Sequence, residues 1–172
     1  MVVGKQGKMP GLNQELVEIL GQLVNDIASR VAKRIGRDKR QFSLYANLTE
    51  DQIAQRIAMA TRSVIASIEI NDPRPLMEFL DKVFEARIRS GYDPNVLLRV
   101  VELTAEQIVE AVAWSHPEDR PRIDYLSRKI GLFNTSAKLH LVNFNLAIPI
   151  QERIALDPDL FGHQDPENEE PE

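Results

Sequence analysis

The stretch Asn71–Val112, NDPRPLMEFLDKVFEARIRSGYDPNVLLRVVELTAEQIVEAV, holds a helix start, a helix stop, a second start and a second amphipathic run. Asp72 precedes Pro73 and Pro75. An acidic side chain there can accept from free backbone N–H groups, and proline fits a first helical turn without losing a bond. Leu76, Phe79, Leu80, Val83, Phe84 and Ile88 then recur at three- and four-residue spacing, which places them on one helix face. Gly91 follows, suited to the left-handed residue that ends many helices. Asp93-Pro94 repeats the start signal, and Val96, Leu97, Val100, Val101, Leu103, Ile108, Val109 and Val112 form the next apolar face. The stretch therefore predicts a helical hairpin with a tight corner.

The same signals extend in both directions. Leu16, Leu20, Leu23, Val24, Ile27, Val31 and Ile35 predict a first long helix from about Asn13, ending at Gly36. In the connector after it, Phe42, Leu44 and Tyr45 are expected to pack back on the core. Thr49 with Gln52 three residues on is a capping box, Glu50 and Asp51 suit the positive end of a helix, and Ile53, Ile57, Val64, Ile65 and Ile68 carry the second helix to about Asn71. After the hairpin, the polar linker Ser115–Pro121 ends one helix and permits the next, whose apolar face is Ile123, Leu126, Ile130, Phe133, Ala137, Leu141 and Phe144. That face resembles a seam, able to pack in the bundle or against a second copy. Leu139–Ile148 also approximates strand alternation, but nothing else in the chain offers a strand to pair with it, so helix is preferred. The expected architecture is an all-α bundle of five main helices. Residues 1–12 are read as a flexible start, 13–156 as one helical regulatory domain and 157–172 as an acidic, disordered tail.

Composition narrows the function. A length of 172 residues and 43% hydrophobic content suit one domain with its own core. No apolar run has membrane-spanning length, and the N-terminus lacks the apolar core of a signal peptide, so a cytoplasmic protein without membrane contact is expected. The absence of cysteine removes disulfides, thiolate metal sites and a cysteine nucleophile. The net charge of −5 gathers in the tail and gives no drive toward nucleic acid. The basic run Lys33–Arg40 sits at a helix end, where cations favour the dipole.

Chemistry-bearing patterns are sparse. There is no Glu-x-x-His pair, glycine-rich phosphate loop, Gly-x-Ser-x-Gly elbow or His-Glu-x-x-His signature, so no enzyme and no metal site is expected. Of three histidines, only His140 falls on an amphipathic helix. It is either a partly buried or interface residue or, if the bundle were a globin-like carrier of haem or another tetrapyrrole, the axial ligand. At the hairpin corner, Arg87, Arg89 and Tyr92 have two readings: guanidinium groups that hold an anionic ligand or a partner carboxylate, or helix-end bonding with Tyr92 packed under the turn. Asn134, Asn143 and Asn145 are either register-setting residues of a dimer seam or simply exposed. The candidate ligand- or partner-binding residues are thus Arg87, Arg89, Tyr92, His140 and Asn143.

Tyr45-x-x-Leu48-Thr49-Glu50, the Asp72 corner, Phe79-Leu80, Arg87–Tyr92 and Val96-Leu97-Leu98-Arg99 together resemble the N-terminal domain of RsbR-type co-antagonists of bacterial stress signalling, over roughly residues 13 to 148. The resemblance implies an all-helical, often globin-like input module that dimerises and passes a signal to an output domain. Too few residues follow Pro149 for that output domain. The chain is expected to be either a stand-alone relative acting through a protein partner or an isolated input domain, the acidic end favouring the former. A non-catalytic sensor-type regulator, homodimeric and gated by a small ligand, is the expectation. A globin-like binder of haem or another small molecule is the alternative.

Overall fold

The proline at position 10 opens the first helix, where its missing N–H costs nothing. In a computed structural model that describes residues 10–38, 40–91 and 93–147, five α-helices and no strand are found among the described residues. They are α1 (Pro10–Arg37), α2 (Glu50–Glu69), α3 (Arg74–Arg89), α4 (Pro94–Ser115) and α5 (Arg120–Ala147), with a single 3₁₀ turn at Ser43–Tyr45. The protein is an all-α bundle. α1 starts a turn earlier than its apolar spacing indicates and runs through Gly36 to Arg37. Residues 1–9 and the expected acidic tail lie outside the described residues.

α1 is the central post. Leu16, Leu20, Val24, Ile27, Val31 and Ile35 are all buried along it, and it packs most extensively on α2 and then on α4. Side chains of this size each contribute about 1.5–3 kcal/mol when fully buried, so this face dominates the core. Phe42 and Tyr45 of the connector are buried against the same cluster.

The caps explain the corners. Thr49 Oγ1 accepts from the Gln52 N–H at 3.2 Å while Gln52 Oε1 accepts from the Thr49 N–H at 2.9 Å, a complete capping box on α2. At the α2–α3 turn, Asn71 takes a left-handed φ of 54°. Asp72 Oδ1 then accepts from the Arg74 N–H at 2.9 Å, and that bond holds the Asp72 carboxyl below its usual range. A second cap comes from α2: Ser67 Oγ, fully buried, accepts from the Leu76 N–H at 3.0 Å and pins the first turn of α3. Gly91 at φ 81° ends the hairpin's first arm, and Asp93 Oδ1 accepts from the Asn95 N–H at 2.8 Å to start α4. Asp119 caps α5 through the Arg122 N–H at 3.1 Å, so α5 begins at Arg120, before the first periodic apolar residue, and stays helical to Ala147.

α5 buries Leu126, Ile130, Phe133, Ala137 and Leu141, so the seam-like face is used inside the bundle. Its N-terminal end is tied to α1 by Tyr125 Oη donating to Asn13 Oδ1 at 2.6 Å and by Arg122 paired with Glu15 at 2.6 Å. A different stripe of α5, Leu132, Leu139 and Val142, faces outward at 67%, 61% and 56% exposure. Because apolar residues occupy both faces, α5 has less amphipathic contrast than the other helices.

Candidate functional site

At 16 residues, α3 is the shortest of the five α-helices. It leans on α2 and α5 and touches α4 only slightly, which leaves a chamber of about 190 Å³ between α2, α3, α4 and α5. Its walls are almost wholly apolar: Val64 of α2, Leu80 and Phe84 of α3, Val100 and Ile108 of α4, and Phe133 of α5. The spacing that makes each helix amphipathic brings these side chains together. Thr104 also lines the chamber, but its hydroxyl donates to the Val100 carbonyl at 2.8 Å and is satisfied within its own helix.

Three side chains give this chamber polarity. Among the described residues, Arg56 of α2 and Arg87 of α3 are the charged ones along its wall, and both are half-buried. Nη1 of Arg56 is shut off from solvent and has no hydrogen-bond partner among the described residues; the same holds for Oδ1 of Asn134 on α5. Arg30 Nη1, His116 Nδ1 and Arg122 Nε, away from the chamber lining, share this condition. Met59, one of the exposed large hydrophobic residues, sits on the same wall beside Arg56 and Ala60.

Across the wall formed by Ala105, Ile130 and Asn134 lies an open groove between α4 and α5 of opposite character. It carries Glu102, Glu106 and Glu110. These acids are already engaged: Glu102 with Lys138 at 2.7 Å and Arg99 at 3.3 Å, Glu106 with Arg34 at 3.6 Å, and Glu110 as acceptor from Gln107 at 2.6 Å. The Lys138 ammonium, with help from Arg99, holds the Glu102 carboxyl below its usual range.

The residues singled out from sequence are dispersed. Arg87 reaches the chamber wall. Arg89 lies on the exposed side of α3 and pairs with Glu85 at 3.4 Å. His140 is on α5, with Nε2 at 2.6 Å from Asp81 Oδ1 and its ring 6.4 Å from that of Phe84, so it ties α5 to α3 without lining the chamber. Asn143 is exposed, and Tyr92 lies outside the described residues. A haem does not fit these groups: the nitrogen that would face iron is engaged by Asp81, and a chamber of 190 Å³ falls below even the roughly 300–1,000 Å³ of pockets for drug-sized molecules. No cluster of three or more metal-ligating side chains occurs among the described residues.

No family model, curated protein or solved structure matches this chain. The reading of the site therefore rests on its own geometry. That geometry includes Arg56, which the sequence did not single out, and Asn134, which the sequence offered as a seam or exposed residue and which is half-buried on the chamber wall. The available signal for Arg56 was its position three residues after Ile53 and four before Ala60, at the edge of an otherwise apolar face. Among the described residues, no helix is long and apolar enough to cross a membrane.

Proposed function

We propose that this chain is a non-catalytic regulatory domain in which a small ligand, held in the chamber beneath α3, sets how α3 packs and so biases a protein-binding surface on α5. The observation that carries this reading is the apolar chamber itself, bordered by α3 on one side and by α2, α4 and α5 on the others. A ligand shifts a packing equilibrium only when it prefers one packing, and a guest in this chamber would touch α3 on one side and three other helices on the rest. His140 and Asp81 form the link from α3 to α5. The readout surface is the stripe of Leu132, Leu139 and Val142, exposed apolar residues spaced seven and three apart along α5. The resemblance to RsbR-type N-terminal domains supports the same reading, that of an input module in bacterial signalling that pairs with a second copy.

Light scattering coupled to size exclusion at micromolar concentration tests the surface. The full chain is expected to run as a dimer and the Leu132→Glu, Leu139→Glu double variant as a folded monomer. A monomeric wild-type chain contradicts self-association through α5.

A further inference from the structure

Resting on that reading of the chamber, we infer that its ligand is an uncharged hydrocarbon of about one ring's size, selected for carrying no hydrogen-bonding group. The inference follows from what the wall offers a guest. Leu80 and Phe84 of α3, Val100 and Ile108 of α4 and Phe133 of α5 are all buried, and all have hydrocarbon side chains. The polar atoms on the same wall are committed or closed. Thr104 gives its hydroxyl proton to the Val100 carbonyl at 2.8 Å, which leaves none for a guest's acceptor. Nη1 of Arg56 and Oδ1 of Asn134 are shut off from any water-sized group, and so from a guest as well. A hydroxyl, carboxylate or ammonium carried inside therefore gives up its water without gaining a bond from these atoms, a cost that a hydrocarbon does not meet.

The way in adds a second selection. Among the described residues, Met59 of α2 is the lining side chain that is exposed, at 56%. A guest therefore enters past Met59 and past Arg56, one helical turn away. Methionine is unbranched and flexible, so it can swing aside without moving the backbone. The guanidinium stays charged at any physiological pH and turns cations away at this margin.

The volume sets the size. An apolar cavity of about 150 Å³ accepts benzene. At about 190 Å³ the chamber suits one ring with a short alkyl substituent, roughly seven to nine carbons, and excludes a two-chain lipid. Water competes poorly for such a space, because it needs two to four polar partners to remain in a cavity. A guest of this size lies against Leu80 and Phe84 of α3 and against the facing residues of α4, across the gap that separates the two helices.

Calorimetric titration of the full chain at pH 7 with toluene, phenol, benzylamine and benzoate tests the inference, since the four probes share one ring and differ in the group it bears. Toluene is expected to bind about tenfold or more tighter than phenol, and both charged probes more weakly than phenol. Ala60→Leu, which adds bulk at the chamber wall, is expected to weaken toluene binding about tenfold or more while melting as cooperatively as the wild type. Ala86→Leu, exposed on α3 and outside the lining, should leave toluene affinity within about twofold. A polar or charged probe that binds as tightly as toluene, and is lost in Ala60→Leu, overturns the hydrocarbon assignment and leaves the chamber reading standing. Toluene binding that survives Ala60→Leu lies elsewhere and overturns the assignment. If none of the four binds, or if Ala60→Leu fails to fold, the assignment and the chamber reading fail together.

Discussion

α1 and α3 are both amphipathic helices with clean apolar faces, yet one is a post and the other a cover. α1 buries six large aliphatic residues along its length and is packed by α2, α4 and α5. α3 buries Leu76, Leu80, Phe84 and Ile88 but lies over a chamber that none of its neighbours fills. The same local pattern thus serves stability in one place and adaptability in the other. What separates them is the tertiary setting: α3 is joined to α2 by a short turn pinned by Ser67 and Asp72, which fixes where it starts and leaves its middle over open space.

Truncation gives the largest expected contrast. Leu20→Ala in α1 should lower the unfolding free energy by about 2–5 kcal/mol in denaturant titrations, because the fully packed surroundings cannot collapse into the gap. Val83→Ala on the chamber wall, already half-buried beside a void, should cost less than about 2 kcal/mol. Equal losses would mean that the chamber is no looser than the α1 core.

Enlarging a side chain should reverse the sign. Ala32→Leu, at a fully buried site of α1, is expected to destabilise by about 1–3 kcal/mol through overpacking. Ala60→Leu points added methyl groups at the chamber and should be neutral or stabilise by up to about 1 kcal/mol. A large loss of stability from Ala60→Leu would show that the space is not available to a guest.

Smaller effects come from the polar links between α5 and its neighbours. The Glu102 carboxyl titrates below its ordinary value of 4.5 because Lys138 and Arg99 favour the ionised form. Its contribution is therefore complete above that value and is lost as the pH falls through the lowered folded-state value. The pair is partly solvent-exposed, so Glu102→Gln should cost less than about 1 kcal/mol at pH 7 and remove part of the acid dependence at pH values below the ordinary 4.5. His140→Gln, which weakens an exposed pair with Asp81, should likewise cost less than about 1 kcal/mol while loosening the coupling of α3 to α5.

Much of this architecture is readable from residues alone, for definite reasons. Caps and corners are local: Thr49 with Gln52, Gly91, and Asp93 with Pro94 act on groups within a few residues, so their spacing announces them. The bond from Ser67 to Leu76 crosses two helices, and no spacing rule points to it. The chamber is less legible still, since it exists only where four faces fail to meet. Sequence singled out Arg87 at the hairpin corner, and the structure puts it on the chamber wall. Arg56 escaped notice because an arginine near a helix face is ordinarily a solvated one, and only its place on the chamber wall sets it apart. The outward stripe on α5 was obscured by the inward one, as two interleaved apolar patterns on one helix blur the period that either alone would show.

The central claim is that filling the chamber tightens α3 and leaves α1 alone. Amide hydrogen exchange on the full chain, with and without a saturating small apolar guest such as benzene, measures both helices at once. The account predicts added protection across residues 76–88 of α3 and the facing turns of α4, with exchange in residues 16–35 of α1 unchanged. Protection spread evenly over α1 and α3, or no change in α3 at saturation, would contradict it.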